Sequence, residues 1–305
     1  MAVEKNRWGI IYSPMPGARR VHKRWNQICQ YLEEKGVSYD YIQSEGFTSV
    51  ERLAGMLTNI GYSTLVIVGG DGALQDAING IMSSPLSKDV TLAIIPNGIS
   101  NDYATYWGFS VDDYKKAVDA IIARRTRLID VGCCAYQGKD DKPVKRYFLN
   151  VINLGLSARA VEIFNTRQFL AKTTSIIFSG FQLLFRRKRY KVSLKINNEK
   201  IEDKLMALCI GNSRGFGLTP SAVPYNGWLD VSLIYRPELF GMVKGLWMLS
   251  KGHLLNHKVV KPYRTKRIRI YKVSSTRAGI DGRIFEPNYP MDIYVMSETL
   301  KLIIP

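Results

Sequence analysis

Val66-Ile67-Val68 is an apolar run that empties into Gly69-Gly70-Asp71-Gly72-Ala73, and a helical pattern follows at once. Glycines let a backbone turn with positive φ and approach a ligand closely, so several amide N–H groups can converge on one anion. The helix behind them adds its positive end at the same place. Asp71 is out of place in a plain phosphate cradle, because its charge repels the anion. It points to a metal ion or a substrate hydroxyl handled there, or, more modestly, to a helix cap. A second stretch repeats the design. Thr91-Leu92-Ala93-Ile94-Ile95 reads as a buried strand, followed by Pro96-Asn97-Gly98-Ile99-Ser100-Asn101-Asp102 and another helix. Two strand-to-helix loops, each with an acid beside glycine, imply one cleft at the carboxyl edge of a parallel sheet.

The elements that must carry these loops alternate. Strands are expected over 8–12, 39–43 and 64–68, and helices over 21–35 (stopped by Gly36) and 50–59. In the next helix Ala73, Leu74, Ala77, Ile78 and Ile81 recur at helical spacing. This order predicts a doubly wound, three-layer α/β/α nucleotide-binding domain over 1–127. Beyond Arg124-Arg125-Thr126-Arg127 the pattern changes. Strands are expected over 128–136, 144–153, 190–196, 205–211, 229–235, 267–271, 278–281 and 291–296. They predict an all-β domain, a sandwich, over 128–297. Helical stretches over about 158–187 and 237–255 interrupt it.

Composition narrows the partners. The chain has 305 residues, 46% of them hydrophobic, and 43 Lys and Arg against 26 acids, for a net charge of +17. That excess calls for a polyanion. Without a zinc-finger or RNP-type aromatic signature, an anionic membrane surface is preferred and nucleic acid is not expected. The first residues carry no apolar signal core, which argues against secretion. No run is long and charge-free enough to span a bilayer. Cys29, Cys133, Cys134 and Cys209 fit no zinc spacing and are expected reduced and mostly buried, in a cytoplasmic protein. His253 and His257, four apart, suit a metal pair only if a third ligand exists; a solvated helix face is expected instead.

The ordered motifs resemble the diacylglycerol kinase catalytic-domain superfamily, the soluble bacterial lipid kinases above all, with sphingosine and ceramide kinases as relatives. The resemblance runs through Ile10-Ile11-Tyr12-Ser13-Pro14 with Gly17, Gly69 to Gly72 with Asn79-Gly80, and Pro96, Gly98, Asn101, Asp102 and Ala104. It continues in Gly211-Asn212, Pro220, Ala222 and Gly227 to Asp230, and ends in Gly279-Ile280-Asp281-Gly282. It implies an NAD kinase/diacylglycerol kinase-like fold whose last strand, over 298–305, returns to the first domain. It implies ATP and Mg2+ as cofactors and a lipid alcohol as substrate, namely diacylglycerol or a sphingoid/ceramide-type alcohol. Gly69, Gly70, Gly72, Ala73, Gly98, Asn101 and Asp102 fall at nucleotide-binding positions, with Asp102 also reaching the metal through water. Asp281 matches the aspartate expected as general base, and Asp71 is its rival. Asp281-Gly282 is also the commonest hairpin-turn signal.

The chain departs from the family pattern at several places. Ala73 and Ile99 stand where hydroxyl residues are usual, Asp76 where Glu is usual, and Asn226 where an Asp would serve a structural magnesium. Arg283 replaces a Glu and inverts the charge two residues from Asp281. Two further functions stay open: a catalytically weak or inactive lipid- or nucleotide-binding member of the same fold, and an NAD kinase-like enzyme. The lipid must come from a bilayer, so a peripherally membrane-associated protein is expected, and a homodimer is left open. Two apolar faces suit an interface: Phe164 to Phe185, ending in Arg186-Arg187-Lys188-Arg189, and Leu239, Phe240, Val243, Leu246, Trp247 and Leu254. Either face could equally pack against the sandwich.

Overall fold

The computed structural model describes residues 6–14, 19–46, 49–98, 100–138, 140–167, 188–275 and 277–305. Gly17, Ile99 and residues 168–187, which include most of the first apolar face, lie outside them. The chain divides into two compact units, Met1–Asp130 with Glu298–Pro305, and Val131–Ser297.

The first unit is built on a parallel sheet. Strands β1 (Trp8–Tyr12), β2 (Tyr39–Gln43), β3 (Thr64–Gly69) and β4 (Thr91–Pro96) lie in the order β2-β1-β3-β4. The crossovers are α1 (Arg19–Glu34), α2 (Ser49–Ile60) and α3 (Asp71–Met82), and α4 (Asp102–Tyr106) and α5 (Tyr114–Ala123) follow β4. β1, β3 and β4 are apolar and buried on both faces, as parallel strands sandwiched by helices must be. α2 packs on α3 and α1 on α5, giving three layers. Gly80 permits the first contact, since a Cβ there would lie 2.1 Å from the Glu51 carbonyl oxygen.

The second unit is a sandwich of antiparallel strands, β5 (Thr126–Gln137) to β16 (Met291–Ile303). One sheet runs β12 (Val260–Thr265), β11 (Leu229–Ile234), β10 (Ala207–Gly211), β7 (Val151–Gly155), β14 (Ala278–Ile280), β15 (Arg283–Phe285). Facing it, β13 (Arg267–Val273) pairs with β16 and with β8 (Tyr190–Ile196), which pairs with β9 (Glu199–Leu205). β6 (Pro143–Phe148) pairs with β5. Ile152, Leu154, Leu208, Ile210, Val231, Leu194, Ile268 and Ile293 fill the core. Among the described residues two helices accompany the sheets, α6 (Leu156–Arg167) and α7 (Leu239–Ser250).

Three local expectations change. The single strand expected over 144–153 is β6 and β7, broken where the 149–151 amides turn to a side chain described below. The segments expected over 291–296 and 298–305 are one strand, β16, whose residues Lys301 and Leu302 pair in parallel with Thr91 and Leu92. His257 does not lie on a solvated face: it is buried, Nε2 lies 3.0 Å from the Gly241 carbonyl oxygen, and Nδ1 accepts from Val259 N.

Candidate active site

The two glycine loops of the first unit are one structure. Gly69 and Pro96 are register partners on β3 and β4, and Asn97 N donates to Gly69 O at 2.9 Å. The loops therefore leave adjacent strands at the carboxyl edge, beside the β1/β3 switch in strand order where such sheets take ligands. Their glycines serve close approach rather than unusual dihedrals: positive φ occurs at neither Gly69, Gly70 nor Gly98. A Cβ on Gly98 would lie 2.4 Å from Gly70 Cα, and one on Gly70 would lie 2.6 Å from Ser100 O. The loops touch backbone to backbone.

Asp71 locks them. It is the first residue of α3 and is buried. Its N–H donates to Ser100 O at 3.0 Å. Its carboxylate accepts from Ser100 Oγ (2.6 Å), Asp102 N (2.9 Å) and Tyr103 N (3.1 Å), so it caps α4 across the loop junction. Burial raises its pKa and the charge of Asp102 adds to this, while the three donors pull the other way. Two carboxylates that repel at one loop junction form a setting that a cation relieves. Among the described residues there is no group of three or more His, Cys, Asp or Glu able to hold a metal. A site with few carboxylates completed by water is the kind magnesium takes, since that ion keeps much of its hydration.

The other loop residues are also engaged. Asn101 Nδ2 donates to Gly98 O (2.8 Å) and Gly98 N donates to Asn101 Oδ1 (3.1 Å), a reciprocal pair that shapes the second loop. Ala73 is buried, and its N–H donates to Gly70 O. Asn97, read in the sequence only as part of the second loop, and Arg24 were not among the expected site residues. Asn97 is fully buried, accepts from Arg24 Nη1 at 3.1 Å, and donates to Val21 O, tying α1 to the second loop. Asn97, between Pro96 and Gly98, sits in a turn signal worth reading; nothing in sequence marks Arg24.

In the second unit Asp281 and Gly282 form the two-residue turn of the β14–β15 hairpin, with Ile280 opposite Arg283 and φ of 44° and 87°. Both positive values match the type I′ turn that Asp-Gly favours. The buried carboxylate does more than turn the chain. It accepts from Leu149 N (2.7 Å), Val151 N (2.7 Å) and Asn150 N (3.1 Å to each oxygen), three successive amides that form an anion nest. Asn150 extends the network, accepting on Oδ1 from Gly215 N and on its carbonyl from Asn212 N and Ser213 N. Asn212 Nδ2 returns to Leu149 O. Gly211 is required beside it, since a Cβ would meet Thr219 Oγ1 at 2.0 Å.

Elsewhere in this unit, Asn226 accepts from Trp228 N within its own turn, while Asp230 pairs with Arg264 at 2.8 Å. A guanidinium thus neutralises Asp230. Asn153 is fully buried on β7 across from Cys209 and Gly279, and neither of its side-chain polar atoms has a hydrogen-bond partner. Such an orphan asks for an explanation.

Comparison with known proteins places this geometry. The diacylglycerol kinase catalytic domain model matches residues 7–134, and the YegS C-terminal NAD kinase beta sandwich-like domain model matches 150–304. A Bacillus subtilis (strain 168) protein named diacylglycerol kinase is 22% identical over 285 residues, covering 90% of this chain and 88% of the relative. A Staphylococcus carnosus (strain TM300) protein of the same name is 24% identical over 288 residues, covering 91% and 89%. Among solved structures, a diacylglycerol kinase from Bacillus anthracis str. Sterne superposes with a TM-score of 0.74 at 17% identity, over 98% of this chain and 97% of that one. Yeast NADH kinase complexed with NADH shares the fold at a TM-score of 0.54 and 12% identity, over 99% and 84%. With both units matched in order, the chain belongs to the diacylglycerol kinase catalytic-domain superfamily.

Proposed function

We propose that this protein is a lipid kinase that transfers the γ-phosphate of ATP to the hydroxyl of diacylglycerol or of a sphingoid/ceramide-type alcohol. The observation that carries this reading is the pair of loops held together by Asp71 at the carboxyl edge of a parallel sheet, in a chain whose two halves both match this superfamily. Gly69, Gly70, Gly72, Ala73 and Gly98 shape the nucleotide seat. Asn101 acts by fixing the second loop, consistent with its pairing to Gly98. Asp102, beside Asp71, would hold Mg2+, which supplies charge neutralisation on the phosphates. Asn153 is a polar group suited to the oxygen-rich head of a lipid alcohol, because it is buried and unpaired.

Asp281 enters the proposal as an anchor that positions the 149–151 backbone. Its oxygens already receive three amides, and a carboxylate so occupied is a weak proton acceptor. Asp71 also accepts three donors, though burial raises its pKa and so strengthens it as a proton acceptor. Phosphoryl transfer tolerates occupied carboxylates, since its loose transition state asks mainly for positioning and charge stabilisation. The same occupancy favours a second reading, a member that binds nucleotide and lipid but turns over slowly.

The test is to incubate purified protein with labelled ATP, magnesium and a panel of lipid alcohols, with NAD as a separate acceptor. Label in a phospholipid supports the kinase. Loss of both transfer and ATP binding overturns it, ATP binding without transfer favours the second reading, and label in NAD moves the activity to the NAD kinase side of the fold.

A further inference from the structure

Helix α7 turns an apolar stripe to solvent. Phe240 is 91% exposed, Val243 61%, Leu246 45% and Trp247 59%, all along one face, while Met242 and Met248 on the opposite side are buried. The helix is fixed in that orientation. Gly241 and Gly245 lie against the buried His257 ring, which is held to the Gly241 carbonyl, and Leu249 meets Gly217 of the neighbouring loop. That loop brings a further exposed aromatic, Phe216, held at φ 55°, a conformation costly for a bulky side chain. Exposed cations surround the stripe in sequence (Arg236, Lys244, Lys251 and Lys258), with Glu238 the one exposed acid from 236 to 258.

We infer that α7 is the element that inserts into an anionic phospholipid surface, lying in the interface with Phe240 and Trp247 among the acyl chains. This deepens the lipid-kinase reading and rests on it for the source of substrate. Charge complementarity selects the occupant: a cation-flanked aromatic stripe on a chain of net charge +17 fits acidic head groups over hydrocarbon. A protein partner fits less well. Three aromatics of roughly 150–250 Å² each and two aliphatics, exposed over only 36% to 91% of their surface, fall short of the ~800 Å² per partner of a standard interface.

The test compares the whole protein with Phe240→Ser/Trp247→Ser and with Lys244→Glu/Lys251→Glu, in flotation with phosphatidylcholine vesicles lacking or containing phosphatidylglycerol. Wild type should bind the anionic vesicles. The serine pair should lose at least about tenfold in affinity, given what burying two aromatics contributes. The glutamate pair should lose about as much, chiefly through the anionic-lipid dependence. Thermal melts and ATP binding of the serine pair should match wild type, because the replaced side chains are exposed. Wild-type vesicle binding by the serine pair overturns the inference. So does a wild-type dimer in sedimentation that the serine pair converts to monomer, which makes the stripe a self-interface. Turnover separates the two ideas: the serine pair should keep its rate on dispersed short-chain diacylglycerol and lose it on vesicle-embedded substrate. Vesicle binding through α7 with no transfer to either substrate removes the kinase and leaves the inference standing.

Discussion

Asp281→Asn separates an anchor from a base. The carboxylate receives Leu149 N on one oxygen, Val151 N on the other, and Asn150 N between them, all buried. Asparagine keeps one of those acceptors and turns an NH2 toward a backbone N–H that then has no partner. A hydrogen bond to a charged group contributes about 1.5–3 kcal/mol, and an unpaired buried donor costs about 1–3 kcal/mol. The two counts overlap, so the expected loss is about 2–4 kcal/mol, a large share of the 5–15 kcal/mol typical of a domain. The turn itself adds nothing to this, since asparagine tolerates the left-handed backbone of residue 281. Urea unfolding followed by a probe of the second unit gives the number directly, with ATP binding measured in parallel. A variant that unfolds at the wild-type midpoint refutes the anchor. If it also binds ATP and has lost turnover, Asp281 is the base that the sequence resemblance implies.

Gly98→Ala should cost about 1–3 kcal/mol by overpacking and weaken ATP binding, because the new Cβ meets Gly70 backbone at 2.4 and 2.7 Å. Gly46→Ala, with open space around it, is the control and should change stability by less than about 0.5 kcal/mol. For Asp71, burial raises the folded pKa, so the folded chain holds this proton more tightly than the unfolded one. Its contribution to stability is present below the unfolded value and is lost as pH climbs through the folded one. The cost of Asp71→Asn should therefore shrink as pH rises from about 4 toward neutrality; a cost that grows over that range contradicts the burial argument. Burial also raises every thiol, Cys209 to about 12, and only Cys29 is partly exposed. A thiol reagent should label at most Cys29 in the native protein and the other three only in urea.

The loops were legible because their signal is local. Val66 to Val68 and Leu92 to Ile95 are buried strands, and glycine with acid follows each. The physical reason for the glycines was not legible, since positive φ and close approach leave the same letter in the sequence. Gly70 and Gly98 face each other across two loops, and only the fold says so. The roles of the acids hid for the same reason. Asp281 reads as a turn residue locally, and its amide donors lie more than a hundred positions earlier. β9 escaped detection because its outward residues are charged, and β12 because it contains Pro262, which an edge strand accommodates.

Strand β16 has a consequence for synthesis. Leu300, Leu302 and Ile303 are buried in the first unit, Lys301 and Leu302 pair with β4, and Ile304 N donates to Arg125 O. The nascent first unit therefore waits for its closing strand until about 170 further residues have left the ribosome. At bacterial or eukaryotic elongation rates that interval is roughly ten to thirty seconds. During it the β4 edge stays open to stray pairing with other chains. The cell must guard a half-finished sheet for that time, and the glycine loops, which hang from β3 and β4, gain their full support only once the whole second unit has been made.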